Sequence, residues 1–233
     1  MKKIFFLSYI AIIAAFTSCE KNELKLPVEV MIEFDMNSFN LEENSKAGQF
    51  FNIDEAYLVV SAIEFDGKRE QGEDYFFSST FDLPVEAEMH NGTANQVLAF
   101  DVPQGIYNMI ELNISVGGGE SNTALMLRGR FQQGPFLDIP VRFEYAFSEQ
   151  IRVRAKNKEG SRQIILKKEE PSSATILLDI PFMFQLFNMG LIMNAQHYLF
   201  EGEETIIINN EKNTEIFNLL ATRLDKSLQV IFE

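Results

Sequence analysis

Ile110-Glu111-Leu112-Asn113-Ile114-Ser115-Val116 alternates large apolar and polar side chains at every step. Successive side chains of an extended chain point to opposite faces, so this stretch predicts a half-buried strand with Ile110, Leu112, Ile114 and Val116 inside and Glu111, Asn113 and Ser115 facing water. The same grammar recurs upstream in Val28-Glu29-Val30-Met31-Ile32-Glu33-Phe34. It recurs downstream where Val141, Phe143, Tyr145 and Phe147 are separated by Arg142, Glu144 and Ala146. Further strands are predicted at about 53–65, 75–81, 97–102, 124–131, 151–154, 163–167 and 175–180. A parallel sheet would show continuous apolar runs between crossover helices, whereas alternation with one wetted face suits antiparallel strands. Ten such strands predict a mainly β protein, an antiparallel β-sandwich.

The punctuation between these segments agrees. Asp66-Gly67, Asn91-Gly92, Pro103-Gln104-Gly105, Gly117-Gly118-Gly119 and Gly134-Pro135 all fall between predicted strands. Glycine supplies positive φ and proline fixes negative φ, which is what tight turns require.

Two departures from period two occur late in the chain. Ile216, Leu220, Leu224 and Leu228 repeat every fourth residue behind Asn213 or Thr214 as N-cap, with Phe217 widening the stripe. This predicts an amphipathic C-terminal helix laid against a sheet. The segment 181–193 carries Phe182, Met183, Phe184, Leu186, Phe187, Met189, Leu191, Ile192 and Met193 on every side of any helix, and Pro181 suits a first helical turn. A short buried apolar helix is expected there.

At the other end, Met1-Lys2-Lys3 precedes an apolar run from Ile4 to Phe16, broken only by Ser8 and Tyr9. A membrane-crossing helix needs roughly 20 apolar residues, and this run stops short of that. It reads as a secretory signal peptide over 1–18. Phe16-Thr17-Ser18-Cys19 resembles a bacterial lipobox, with Phe16 in place of the usual Leu, which implies cleavage before Cys19 and lipid on its thiol. Cysteine usage fits, because Cys19 is the chain's one cysteine and an exported lone thiol needs a role. Glu20-Lys21-Asn22-Glu23-Leu24-Lys25 then forms a charged tether ending at Pro27, and it resembles the surface-export signal of Bacteroidota lipoproteins. The expected organisation is a leader at 1–18, a tether at 19–27, a sandwich at 28–180 and an extension at 181–233 packed on it. The expected location is the outer membrane, lipid-anchored through Cys19, with the surface favoured over the periplasm.

Charge narrows the partners. The chain holds 20 Lys plus Arg against 34 Asp plus Glu, and loss of the leader takes Lys2 and Lys3 with it, leaving 18 against 34 and a net charge of −16. Phosphate backbones are bound by clustered basic residues, so nucleic acid is not an expected partner. Anionic lipid would be repelled as well, which leaves anchoring to the acyl chains.

Chemistry-bearing motifs are few. His90 and His197 have no neighbours at metal-ligand spacing, so no metal or cofactor is expected. No Gly-x-Ser-x-Gly elbow exists, and Gly117-Gly118-Gly119 lacks the Lys and helix of a phosphate loop. Glu201, Glu203 and Glu204 around Gly202, and Glu73 and Asp74 beside Gly72, are acidic loops that read as solvated, with calcium as the alternative. Tyr57, Tyr75, Tyr107, Tyr145 and Tyr198 are the tyrosines a sugar platform would draw on, yet each lies in or beside a strand where packing explains it equally well.

Asp101-Val102-Pro103-Gln104-Gly105-Ile106-Tyr107 ahead of the alternating strand resembles the Pro-x-Gly-x-Tyr turn of prealbumin-like, immunoglobulin-like sandwich domains. Ala62-Ile63-Glu64-Phe65-Asp66-Gly67, Phe81-Asp82-Leu83 and Asp179-Ile180-Pro181 follow a similar order, over roughly 28–190. The chain in this respect is similar to Bacteroidota lipoproteins built on such domains of unknown function and, more distantly, to MbnP-like envelope proteins. The resemblance implies a sandwich and an envelope lipoprotein, and carries over no functional residues. The expected function is a non-catalytic binding module for a glycan, a peptide or an envelope protein. The alternatives are a fimbrial or adhesin-type structural subunit and a carboxylate-dependent glycan-active enzyme.

Overall fold

The computed structural model describes residues 24–37, 51–90, 95–118, 123–133, 137–187 and 189–233. The leader, Cys19 and the turns at Asn91-Gly92 and Gly134-Pro135 lie outside these residues.

Two sheets face each other. The first has five strands in the order β4 (Asn95–Pro103), β1 (Pro27–Asn37), β11 (Ser172–Asp179), β14 (Leu228–Phe232) and β9 (Lys156–Asn157). The second has nine, ordered β10 (Ile164–Leu166), β5 (Gly105–Val116), β2 (Phe51–Arg69), β6 (Leu125–Gln133), β7 (Leu137–Tyr145), β13 (Glu203–Ile208) and β12 (Tyr198–Phe200), with β3 (Tyr75–Met89) on β2 and β8 (Glu149–Arg154) on β5. Alternation is realised as expected. Val28, Val30, Ile32, Phe34 and Met36 of β1 and Ile110, Leu112, Ile114 and Val116 of β5 are all buried in one core between the sheets.

Strand orientation is mixed. β1 runs parallel to β11, β13 to β7 and β14 to β9, while the remaining described ladders are antiparallel. Period two follows from the pleat alone and is the same in either orientation, so alternation could not separate these cases.

β2 organises the larger sheet. β3 pairs along 56–67 of it, while β6 pairs along 51–58 and β5 along 60–69. Since residues paired to β3 are also paired to β6 or β5, the latter two share the other edge of β2 and part at Val59 and Val60. The β3 edge carries a bulge in which Phe81 to Pro84 oppose Ser61 alone. Proline and a bulge both discourage further strand pairing at an edge.

The tether-side end is held by the Pro103-to-Tyr107 turn. Tyr107 is fully buried and its hydroxyl donates to the Pro103 carbonyl at 2.6 Å, a tyrosine corner reaching back to the backbone upstream. Burial pushes the Tyr107 hydroxyl up to about 12. Its ring covers Gly67, where a Cβ would stand 2.5 Å from the ring. Arg69 gathers the neighbouring segments, donating at 2.6 Å to both the Leu24 and the Gln104 carbonyls.

The opposite end is capped by α1 (Ile180–Met183), α2 (Met189–Met193), α3 (Thr214–Ala221) and α4 (Leu224–Ser227). Asp179 caps α1 by accepting from the Phe182 amide, with Pro181 in the first turn. Phe184 and Phe187 are buried against Phe51, whose ring centroid lies 5.4 and 4.9 Å from theirs, so the apolar segment packs inside the molecule. The C-terminal helix is shorter than its stripe suggested. It breaks after Ala221, and Leu228 begins β14, because backbone pairing of 228–232 to β11 continues the same inward row as Leu228, Val230 and Phe232. Asn213 sits at the N-cap of α3 with φ 48°, but its amide bonds Gln196 and Ile207 instead of capping. The segment expected to pack on the sandwich as an extension thus supplies β13 and β12 to one sheet and β14 to the other.

Candidate functional site

An open groove of about 360 Å³ lies on the solvent-side face of the nine-stranded sheet, between β6 and β7 and the β12–β13 hairpin. Its floor comes from strand alternation. Arg128 and Arg130 on β6 and Pro140, Arg142 and Glu144 on β7 are the outward members of strands whose Leu127, Phe131, Val141 and Phe143 are buried. Gly129 separates the two β6 arginines, and any Cβ there would stand 2.0 Å from the Asn52 carbonyl oxygen. The pairing register sets Arg128 directly opposite Arg142.

The wall is the hairpin. β12 and β13 are joined by Glu201-Gly202, a two-residue turn in which both residues have positive φ, 53° and 90°. Such turns match the twist of hairpins and normally take Asn, Asp or Gly at both positions. Glu201 instead holds a left-handed backbone at a cost of about 1–2 kcal/mol. Phe200 places its ring over the Arg142 guanidinium at 4.8 Å, and Glu203 and Thr205 complete the lining.

The charges are partly paired. Arg142 gives its Nε to Glu144, and Asn209 donates to the other Glu144 oxygen at 3.0 Å. Burial works to raise the Glu144 carboxyl, but the bonds from Asn209 and Arg142 outweigh it and hold it below the usual value. Arg128 is looser, 3.9 Å from Glu55 and 5.7 Å from the Tyr57 ring centre. Arg130 binds Asp138 at 2.6 Å, which keeps that carboxyl low. Arg142 is the more enclosed of the facing pair, its side chain 18% exposed against the Phe200 ring, while that of Arg128 is 46% exposed.

A second groove of about 530 Å³ lies between α2, β12 and the start of α3, lined by Asn194, Gln196, Tyr198, Glu211, Asn213 and Glu215 among others. Lys212 covers the Tyr198 ring at 4.6 Å. Tyr198 and Phe200 stand two apart on β12 and therefore share one face, each under a cation.

The residues singled out in the sequence are scattered. His90 follows β3 beside Glu88, and His197 precedes β12 beside Glu204, next to separate elements. Among the described residues no cluster of three or more His, Cys, Asp or Glu could hold a metal ion. Asp74 accepts the Arg69 amide, which lowers its pKa and makes it a turn anchor. Tyr107 and Tyr145 are buried, Tyr75 bonds the Asp101 carbonyl, and Tyr57 bonds Glu55 and Glu88. Glu201 and Glu203 line the groove, while Arg128, Arg142 and Phe200 had no local signal, since only register and the hairpin bring them together. Among the described residues no helix is long and apolar enough to cross a membrane. Comparison with protein-family models, with curated proteins and with solved structures finds no match.

Proposed function

We propose that the chain is an exported lipoprotein anchored in a bacterial outer membrane through lipid on Cys19, surface-facing, whose sandwich is a non-catalytic binding module with the Arg128 and Arg142 groove as its ligand site. The observation that carries this reading is the order along the chain: a basic and apolar leader, a lone cysteine after small residues, a short charged tether, then β1. Arg69 supports it by fixing the Leu24 carbonyl, which ties the tether exit to one end of the sandwich. Strand donation between chains fits the nine-stranded sheet less well, because β10 and β12 have three residues each and β3 is blunted by its bulge and Pro84, which leaves the nine-residue edge strand β4 of the other sheet as its one long candidate among the described residues. A carboxylate acid and base pair needs one raised pKa, and at this groove the Glu144 carboxyl is lowered.

Expression of the wild type and of Cys19→Ala in a Bacteroidota host tests the proposal by lipid labelling and by protease treatment of intact cells. Labelled, protease-sensitive wild type beside an unlabelled variant is the expected result. An unlabelled wild type would overturn the anchor, and a labelled but protected one would overturn the surface location.

A further inference from the structure

Resting on the binding-module reading, we infer that the groove takes an acidic sugar, a hexuronic acid residue whose carboxylate is held between Arg128 and Arg142. Two local rules of sheet construction are broken in this one place. Like charges directly opposite on neighbouring strands stand about 5 Å apart at Cβ and destabilise the pair. Arg128 and Arg142 are such partners, with Glu55 opposite Arg128 on its other side only at 3.9 Å and Glu144 taking the Arg142 Nε alone. A left-handed backbone disfavours any side chain other than Gly, Asn or Asp, and Glu201 adopts one on the groove's rim. Departures of this kind concentrate at functional sites, where a ligand supplies what the free fold lacks.

The chemistry of the guest follows from the lining. Guanidinium groups present N–H pairs that match a planar carboxylate, so two of them across a ladder form an anion seat. In a chain of net charge −14, three of the eight arginines stand on this patch. Glu201 and Glu203 offer carboxylate acceptors beside the arginines and call for hydroxyl donors. Phe200 lines the groove with one ring face against Arg142, and its remaining apolar surface is what a sugar C–H face would meet. A space of about 360 Å³ sits at the small end of ligand pockets and suits one such residue. A simple anion would use the arginines and leave the acceptors and the ring idle.

The test uses the full-length protein purified from membranes in detergent and isothermal titration with three probes: an oligogalacturonate, its methyl ester and sodium acetate. The ester keeps every hydroxyl and removes only the charge. The expected result is binding of the oligogalacturonate, at least ten-fold weaker binding of the ester, and acetate competition only at far higher concentration. Arg142→Gln and the more exposed Arg128→Gln should each lose ten-fold or more for the acid and leave the ester unaffected, with melting of Arg128→Gln no lower than that of the wild type showing that the fold persists. Equal binding of acid and ester, absence of binding, or acetate competing at equal concentration would each overturn the inference. None of these results bears on lipid attachment at Cys19, which the labelling experiment reads separately.

Discussion

The outer face of the nine-stranded sheet carries two arginine patches, and they are built by opposite rules. On β8 and β5, Arg154 stands opposite Glu111 and Arg152 opposite Asn113. Both arginines reach the Glu111 carboxylate, at 3.2 and 3.3 Å, and Asn113 continues the chain of bonds to Glu64 on β2. Every cation there meets an acceptor across the ladder, and Glu111 is nearly enclosed at 7% exposure. On β6 and β7 cation faces cation; Arg128 has Glu55 opposite it on β2, but at 3.9 Å, and Arg142 turns to Glu144 on its own strand. The first patch is complete in the free protein. The second keeps its two arginines face to face with looser or same-strand partners, and on the binding reading proposed above a ligand completes it.

Glu111→Ala should produce the largest effect, because it leaves Arg152 and Arg154 without their shared acceptor and opens a gap in a covered part of the sheet. A loss of about 1–3 kcal/mol is expected in denaturant unfolding. A loss close to zero would mean that the two patches do not differ as described.

Glu144→Gln probes the groove side of the comparison. The folded carboxyl lies below its unfolded value of 4.5, so its ionised form stabilises the fold above that pH, and the stabilisation disappears as pH falls through the folded value. Wild-type stability should therefore decline below about pH 4.5 more steeply than that of Glu144→Gln, with a difference near neutral pH of about 1 kcal/mol or less because the carboxyl keeps contact with solvent, its side chain being 24% exposed. Parallel pH profiles would contradict the assignment.

Much of the architecture was legible in the sequence because period two and turn residues report on local geometry. β1 and the inward row of β5 could be read side chain by side chain, whereas Glu111 and Asn113, expected to face water, are covered by the arginines of β8 and only 7% and 8% exposed. Pro103 to Tyr107 marked the turn that the Tyr107 hydroxyl closes. Pro181 at the opening of α1 was readable for the same reason, since φ is fixed within one residue. What escaped depends on pairing between distant segments. The four-residue stripe from Ile216 to Leu228 ran through the end of α3 into β14, since an inward row looks alike on a helix and on the strand that follows it. The parallel ladders of β1 with β11 and of β7 with β13 left no mark in composition. The groove was hidden for the same cause: Arg128 and Arg142 are fourteen positions apart, and each alone is an ordinary outward residue of a strand. Glu201 was visible only as part of an acidic loop, and its backbone conformation made it informative.

The central claim is that Arg128 and Arg142 are kept opposite each other for a ligand and at some expense to the fold. A double-mutant cycle on the ligand-free protein, with Arg128→Gln, Arg142→Gln and the pair compared by denaturant unfolding, isolates the term between them. An unfavourable coupling of about 0.2–1 kcal/mol is expected, so that each replacement is more stabilising, or less destabilising, in the wild type than in the variant that already lacks the other arginine. A favourable coupling would show the two arginines supporting each other within the fold, and would contradict the account.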